Sequence, residues 1–168
     1  MSAADAVTVA VDVEVAPEVA FDVFTRELDA WWGHGPRFRF LAPHGGRLTL
    51  EPGVGGRLLH VQDERVFVVG HVDVWEPPHR LALTWRLASF TPPQTTRVEV
   101  RFEPAADGTR VSVTHSGWDG IPPTHPARHG LTDRAFVLWK GQWWGELLTA
   151  ARRHIEDSRR MPARKDAP

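Results

Sequence analysis

Residues 131–157 read LTDRAFVLWKGQWWGELLTAARRHIED. At about 3.6 residues per turn, Phe136, Val137, Trp143, Trp144, Leu147, Leu148, Ala151 and Ile155 gather on one broad side. Arg134, Gln142, Glu146, Arg152, Arg153 and Glu156 fall mostly opposite, so the stretch is expected to be an amphipathic helix of roughly seven turns. Gly141 and Gly145 each weaken it by up to about 1 kcal/mol relative to Ala. Next to Trp139, Trp143 and Trp144 they suit close packing or a bend better than a helix end. One residue breaks the pattern: Lys140 projects near the middle of the apolar side. No other segment is long and apolar enough to serve as the central helix.

Working outward, Val7, Val9, Val11, Val13 and Val15 alternate with polar or small residues, which marks a half-buried strand. Pro17 opens a helix with Val19, Ala20, Val23 and Phe24 on its apolar side, since proline is harmless in a first turn. A second short helix is expected over Arg26–Trp32, ended by Gly33, before an irregular loop from His34 to Gly46. Strands follow over Arg47–Glu51, Arg57–Gln62, Val66–Trp75, Arg80–Leu87, Thr95–Glu103 and Thr109–Trp118, with Asp107-Gly108 as a hairpin turn. Antiparallel strands with one apolar face need a cover, and the long helix supplies it. The fold class is therefore α+β: a curved antiparallel sheet of about six to seven strands around a C-terminal helix, with two short helices after the first strand. A cavity between sheet and helix is expected. Residues 7–157 form one domain, residues 1–6 a flexible N-terminus and residues 158–168 a disordered tail.

The chain has 168 residues and a formal net charge of -1, which gives no electrostatic reason to expect nucleic acid or an anionic membrane as partner. It contains no cysteine, excluding disulfides and thiolate metal sites. No signal peptide or membrane-length apolar run is visible, so a cytoplasmic monomer or small homo-oligomer is expected. Eight tryptophans and no tyrosine make large, flat, apolar side chains abundant.

Several ordered motifs carry a resemblance. Glu51-Pro52-Gly53-Val54-Gly55-Gly56-Arg57, the run from Gly70 through Trp75-Glu76-Pro77-Pro78 to Thr84-Trp85, Thr96–Phe102, Asp107-Gly108-Thr109, His115-Ser116-Gly117-Trp118 and Trp144-Gly145-Glu146-Leu147-Leu148 are among them. Together they resemble the bacterial homologues of the activator of the heat-shock protein 90 ATPase, over residues 7–157. The resemblance implies the START-like (SRPBCC, Bet v-like) helix-grip fold. It also implies a range of functions: hydrophobic-ligand or lipid carriers, cyclases and dehydratases, and the co-chaperone domain with its link to the stress response. It brings no universal catalytic motif. Many similar sequences carry histidine where Lys140 stands, so chemistry at that point does not transfer.

The leading expectation is binding of a hydrophobic or aromatic small molecule, with no cofactor and no metal. Trp85, Phe102, Phe136, Trp139, Trp143, Trp144 and Leu147 would wall the site and Lys140 would supply a polar contact. The loops over Gly33–Gly46 and Asp119–Gly130 would act as rims or lids. Lys140 has two readings: a cationic or low-pKa group facing the cavity, or a stem crossing apolar surface with its ammonium in water or on a carboxylate. A cofactor-independent cyclase, dehydratase or hydrolase using Lys140 or His115 as general base is one alternative. A chaperone-binding module with an exposed apolar patch is another. His34, His44, His115, His125 and His129 match no zinc spacing and read as structural or surface histidines. Gly53-Val54-Gly55-Gly56 precedes a strand and lacks the lysine of a phosphate loop, so it reads as a turn.

Overall fold

The computed structural model describes residues 5–33, 35–41 and 45–160. The expected flexible N-terminus and disordered tail lie largely outside the described residues, as do His34 and His44. The chain runs β1 (Ala6–Val13), α1 (Pro17–Arg26), α2 (Leu28–Trp31), β2 (Arg47–Leu50), β3 (Arg57–Gln62), β4 (Arg65–Glu76), β5 (Arg80–Trp85), β6 (Thr96–Ala105), β7 (Gly108–Ser116) and α3 (Asp133–Arg160), with two 3-10 turns before α3. One seven-stranded sheet has the order β1-β7-β6-β5-β4-β3-β2, antiparallel throughout. Apart from the first strand, which crosses to pair with the last, neighbours in the sheet are neighbours in sequence, as a meander requires.

The alternation read from the sequence becomes the inner face of this sheet. Leu81, Leu83 and Trp85 of β5, Val98, Val100 and Phe102 of β6, and Val111 and Val113 of β7 are buried against α3. Charges take the outer face, where Arg80 reaches Glu99 and Glu76, Arg101 reaches Glu99, and Arg97 pairs with Asp73 across strands. The register slips at Leu58/Leu59 and again at Val72/Val74, and such bulges bend a strand. Gly70 lies between them. A Cβ there would sit 1.7 Å from the Thr84 carbonyl oxygen, so the backbones of β4 and the strand beside it approach as only glycine allows.

The long helix begins two residues later than the sequence pattern suggests, because Thr132 caps it. Its carbonyl accepts from the Phe136 N–H (2.8 Å) and its hydroxyl from the Ala135 N–H (3.4 Å). It ends at Arg160, three residues beyond Asp157. It passes through both glycines: a Cβ on Gly141 would meet Val7 at an ordinary 3.8 Å, and one on Gly145 would meet open space. No helix among the described residues is long and apolar enough to cross a membrane.

The interior between sheet and helix differs from the expectation of a cavity there. Indoles fill it. The Trp32 ring lies 5.9 Å from Trp85, 5.9 Å from Trp143 and 6.0 Å from Trp144, and Trp143 stands at 90° to Trp144 at 5.1 Å. Phe21, Phe24 and Phe102 close the other end with edge-on contacts of 5.1 and 5.4 Å to the Phe102 ring. Large rings therefore occupy the centre of the sheet–helix interface.

Candidate functional site

Open space on the inner side of α3 is displaced to the rim of the fold. A cavity of about 230 Å³ lies between the first half of α3 and two loops. Pro36, Arg37, Phe38, Arg39 and Phe40 form one wall, Ala127 and His129 another, and Trp139, Lys140 and Trp143 the floor, with Leu87 at the edge. The two loops expected as rims contribute these first two walls. Indole N–H groups tie the first loop down. Trp32 Nε1 donates to the Phe38 carbonyl at 2.7 Å, and Trp143 Nε1 donates to the Arg37 carbonyl at 2.8 Å. Arg37 bridges to Glu146 of α3 at 2.7 Å, and Arg39 to Asp29 of α2 at 3.2 Å.

The second loop is held by Arg128, whose guanidinium is buried over the Phe136 ring at 4.7 Å. It donates to the Trp118 and Ile121 carbonyls and bridges to Asp133 at 2.7 Å. His125 caps the 3-10 turn before α3, its Nδ1 accepting from the Ala127 N–H at 3.1 Å. Phe90, Trp118, Ile121, Ala127 and Phe136 pack beneath as a second apolar cluster. Both walls therefore rest on fixed supports.

Lys140 is the unusual member. It is 4% exposed, and its Nζ stands 3.8 Å from the centroid of Trp143, 5.4 Å from Trp118 and 5.8 Å from Trp139. No carboxylate among the described residues lies within ion-pair distance of it, so the reading that puts the Lys140 ammonium on an acid does not describe the structure. Ring faces attract a cation by about 2 kcal/mol when desolvated. Removing an unpaired ammonium from water opposes this more strongly, and burial pushes the Lys140 amine from 10.5 down to about 7. At neutral pH a large share of this amine carries a free lone pair.

His115 plays a different part. It is fully buried on β7, opposite Val7 on one side and Val98 on the other. An indole N–H can only donate, so the 3.1 Å contact from Trp144 Nε1 requires an unprotonated Nδ1 on His115. The proton then sits on Nε2, which donates to Thr96 Oγ1 at 2.7 Å, and that hydroxyl donates to the Trp85 carbonyl at 3.1 Å. Burial, with the Lys140 charge nearby, holds the imidazole well below its ordinary 6.5. Both ring nitrogens are used inside the core, which leaves His115 no free nitrogen for general-base work.

Of the residues singled out from the sequence, Trp139, Lys140 and Trp143 line the cavity. Trp85, Phe102, Phe136, Trp144 and Leu147 are buried in the packed core instead. Sequence reasoning passed over Phe38 and Phe40 and read His129 as a structural or surface histidine. The available signal was the Arg37-Phe38-Arg39-Phe40 alternation, which places two phenylalanines in a loop with no strand partner. His129 adopts a left-handed φ of 54°, and its ring lies 4.2 Å from that of Trp139. Among the described residues no three His, Asp or Glu side chains converge as a metal site would.

A second recess of about 500 Å³ lies between α1 and the turns at the ends of β2 and β4, lined by Phe21, Leu50 and Trp75. It is larger, and two of its polar side chains are already engaged. Asp22 bridges to Arg26 at 2.7 Å and Thr25 Oγ1 donates to the Phe21 carbonyl at 2.8 Å. The smaller cavity alone of the two presents a buried lysine with no carboxylate partner among the described residues, so it is the better candidate site.

A curled antiparallel sheet gripping a long C-terminal helix, with a rim cavity at the start of that helix, defines an α+β protein of the helix-grip class. The chain belongs to the family described as activator of Hsp90 ATPase homolog 1-like proteins, whose model matches residues 14–146. Solved structures agree on the fold. Protein MLL2253 from Mesorhizobium loti is 20% identical over 91% of this chain and 98% of its own, with a TM-score of 0.63. DynU16, from the dynemicin biosynthetic locus, is 20% identical over 92% of this chain and 48% of its own, with a TM-score of 0.64. PFC0360w, an HSP90 activator from Plasmodium falciparum, is 19% identical over 73% and 77%, with a TM-score of 0.51. No curated protein sequence matches the chain.

Proposed function

We propose that this protein binds a small aromatic or hydrophobic molecule in the rim cavity, with Trp139, Trp143 and Phe38 as flat walls and the Lys140 amine as the polar contact. The observation that supports it is the buried, carboxylate-free amine at the floor of an aromatic cavity. An internal polar group without a partner is unfavourable, and a ligand oxygen would supply the partner. Apolar cavities of about 150 Å³ hold one benzene ring. At about 230 Å³ the space suits a ligand of one or two rings with one acceptor oxygen.

The chaperone reading rests on the family match. The large exposed apolar residues Val19, Val54, Val66 and Leu138 are spread over four separate segments rather than gathered in sequence. Of the two bases read from the sequence, the enzyme reading keeps Lys140, because His115 is committed to the core.

Titration with benzyl alcohol, which pairs one ring with one acceptor oxygen, tests the proposal through tryptophan emission. Binding beside Trp139 and Trp143 predicts a saturable change, and Trp143→Ala is expected to weaken it at least tenfold by removing both a wall and the anchor of the Arg37 carbonyl. A linear response without saturation, or an unaltered affinity in the Trp143 variant, would exclude the cavity as the site.

A further inference from the structure

The choice of cation at position 140 is informative. The chain holds eighteen arginines and two lysines, Lys140 and Lys165. Its other described cations, all arginines, include one that is itself buried, Arg128, placed over a ring and paired with Asp133. Arginine cannot deprotonate under ordinary conditions, whereas lysine can. A group meant only to place positive charge against indole faces could have been arginine. The cavity floor instead carries the one described primary amine, a group whose nitrogen lone pair is a nucleophile once deprotonated.

We propose that Lys140 captures an aromatic aldehyde of one or two rings as an imine within the rim cavity. This rests on the ligand-binding reading above and names the class of ligand. The ring would lie along Trp139 and Trp143, and the carbonyl carbon would meet Nζ at the floor. The nitrogen lone pair attacks that carbon, a C–N bond forms, and the carbonyl π pair moves to oxygen. A proton passes from nitrogen to oxygen to give the carbinolamine. Protonation of its hydroxyl releases water, the nitrogen lone pair closes the C=N bond, and loss of the remaining N–H proton returns the proton consumed. One amine and one aldehyde thus give one imine and one water, with no oxidant or reductant.

His129 lines the same cavity and is held below its ordinary 6.5 by burial and by Lys140, so it accepts and returns a proton at neutral pH without carrying a lasting charge beside the amine. Glu146 and Asp29, which meet the loop wall, are engaged there by Arg37 and Arg39. The lone pair is therefore not quenched by a neighbouring carboxylate.

The experiment uses the whole chain, benzaldehyde and sodium cyanoborohydride at pH 7, followed by intact mass and peptide mapping. Lys165 and the N-terminal amine are internal competitors. An amine titrating near 7 holds on the order of a thousand times more free base at pH 7 than one titrating near 10.5. The expected result is one benzyl group at Lys140, formed at least tenfold faster than at Lys165 and slowed by excess benzyl alcohol. Label at Lys165 or the N-terminus only, with a saturable benzyl alcohol response, would overturn imine capture and leave the binding reading standing. Neither label nor saturable response would overturn both. Label at Lys140 that benzyl alcohol does not slow would overturn capture through the cavity.

Discussion

Lys140→Met raises the unfolding free energy at pH 7 by about 2 kcal/mol. The methionine keeps an unbranched stem of similar length and removes the ammonium, so the tryptophans around it stay packed. In the native protein burial holds the amine at about 7 against 10.5 in the unfolded chain, a handicap on the order of 4 kcal/mol at pH 7. Swapping the lysine stem for a side chain of different shape beside Trp143 offsets part of that gain. The sign with pH is fixed. Between about 7 and 10.5 the unfolded chain binds more protons than the folded one, so wild-type stability rises with pH through that window. Below about 7 both states are protonated and the handicap is complete. The gain from Met is therefore largest below pH 7 and shrinks toward pH 10. Urea unfolding at pH 6, 7 and 9 measures it, and a Met variant less stable than wild type at pH 6 would show that the amine is not desolvated.

His115→Ala acts in the opposite direction, lowering stability by about 3 to 5 kcal/mol. It strands the Trp144 indole N–H, deprives Thr96 of its donor and leaves a ring-sized void beside Trp118, whose ring lies 4.7 Å from the imidazole. For a chain of this length the midpoint falls by about 10 °C. His115→Gln keeps one acceptor and one donor and is expected to recover part of the loss. The native histidine also sets an acid limit. Below about 6.5 the unfolded chain takes up a proton that the buried imidazole refuses, so stability falls as pH drops. Thermal unfolding of both variants at pH 7.5 and 5.5 checks this, and an Ala variant within 1 kcal/mol of wild type would remove the network from the account.

Much of this architecture could be read from residue patterns alone. The valines of β1 and the alternation of Leu81, Leu83 and Trp85 announced a sheet with one dry face, and the period of Phe136 to Ile155 announced its cover. Lys140 stood out because a charge interrupted that period. The filled interior was not legible, since a tryptophan that lines a cavity and one that fills it have the same periodicity; only packing distances separate Trp143 from Trp144. Phe38 and Phe40 reach the site through loop geometry, which no periodicity encodes. His115 could have been found. Val111, Val113 and His115 share one strand face, and that spacing places the imidazole indoors, where it needs two partners.

The central claim is that Lys140 is a buried amine of lowered pKa on a ligand cavity. Carbon-13 NMR of protein labelled at lysine Cε tests it most directly, because two lysines give two resonances. The account predicts one resonance titrating near 7, lost in Lys140→Met, and shifted by benzyl alcohol, while the other titrates near 10.5 and does not move. Two resonances that both titrate near 10.5, with neither responding to benzyl alcohol, would contradict it.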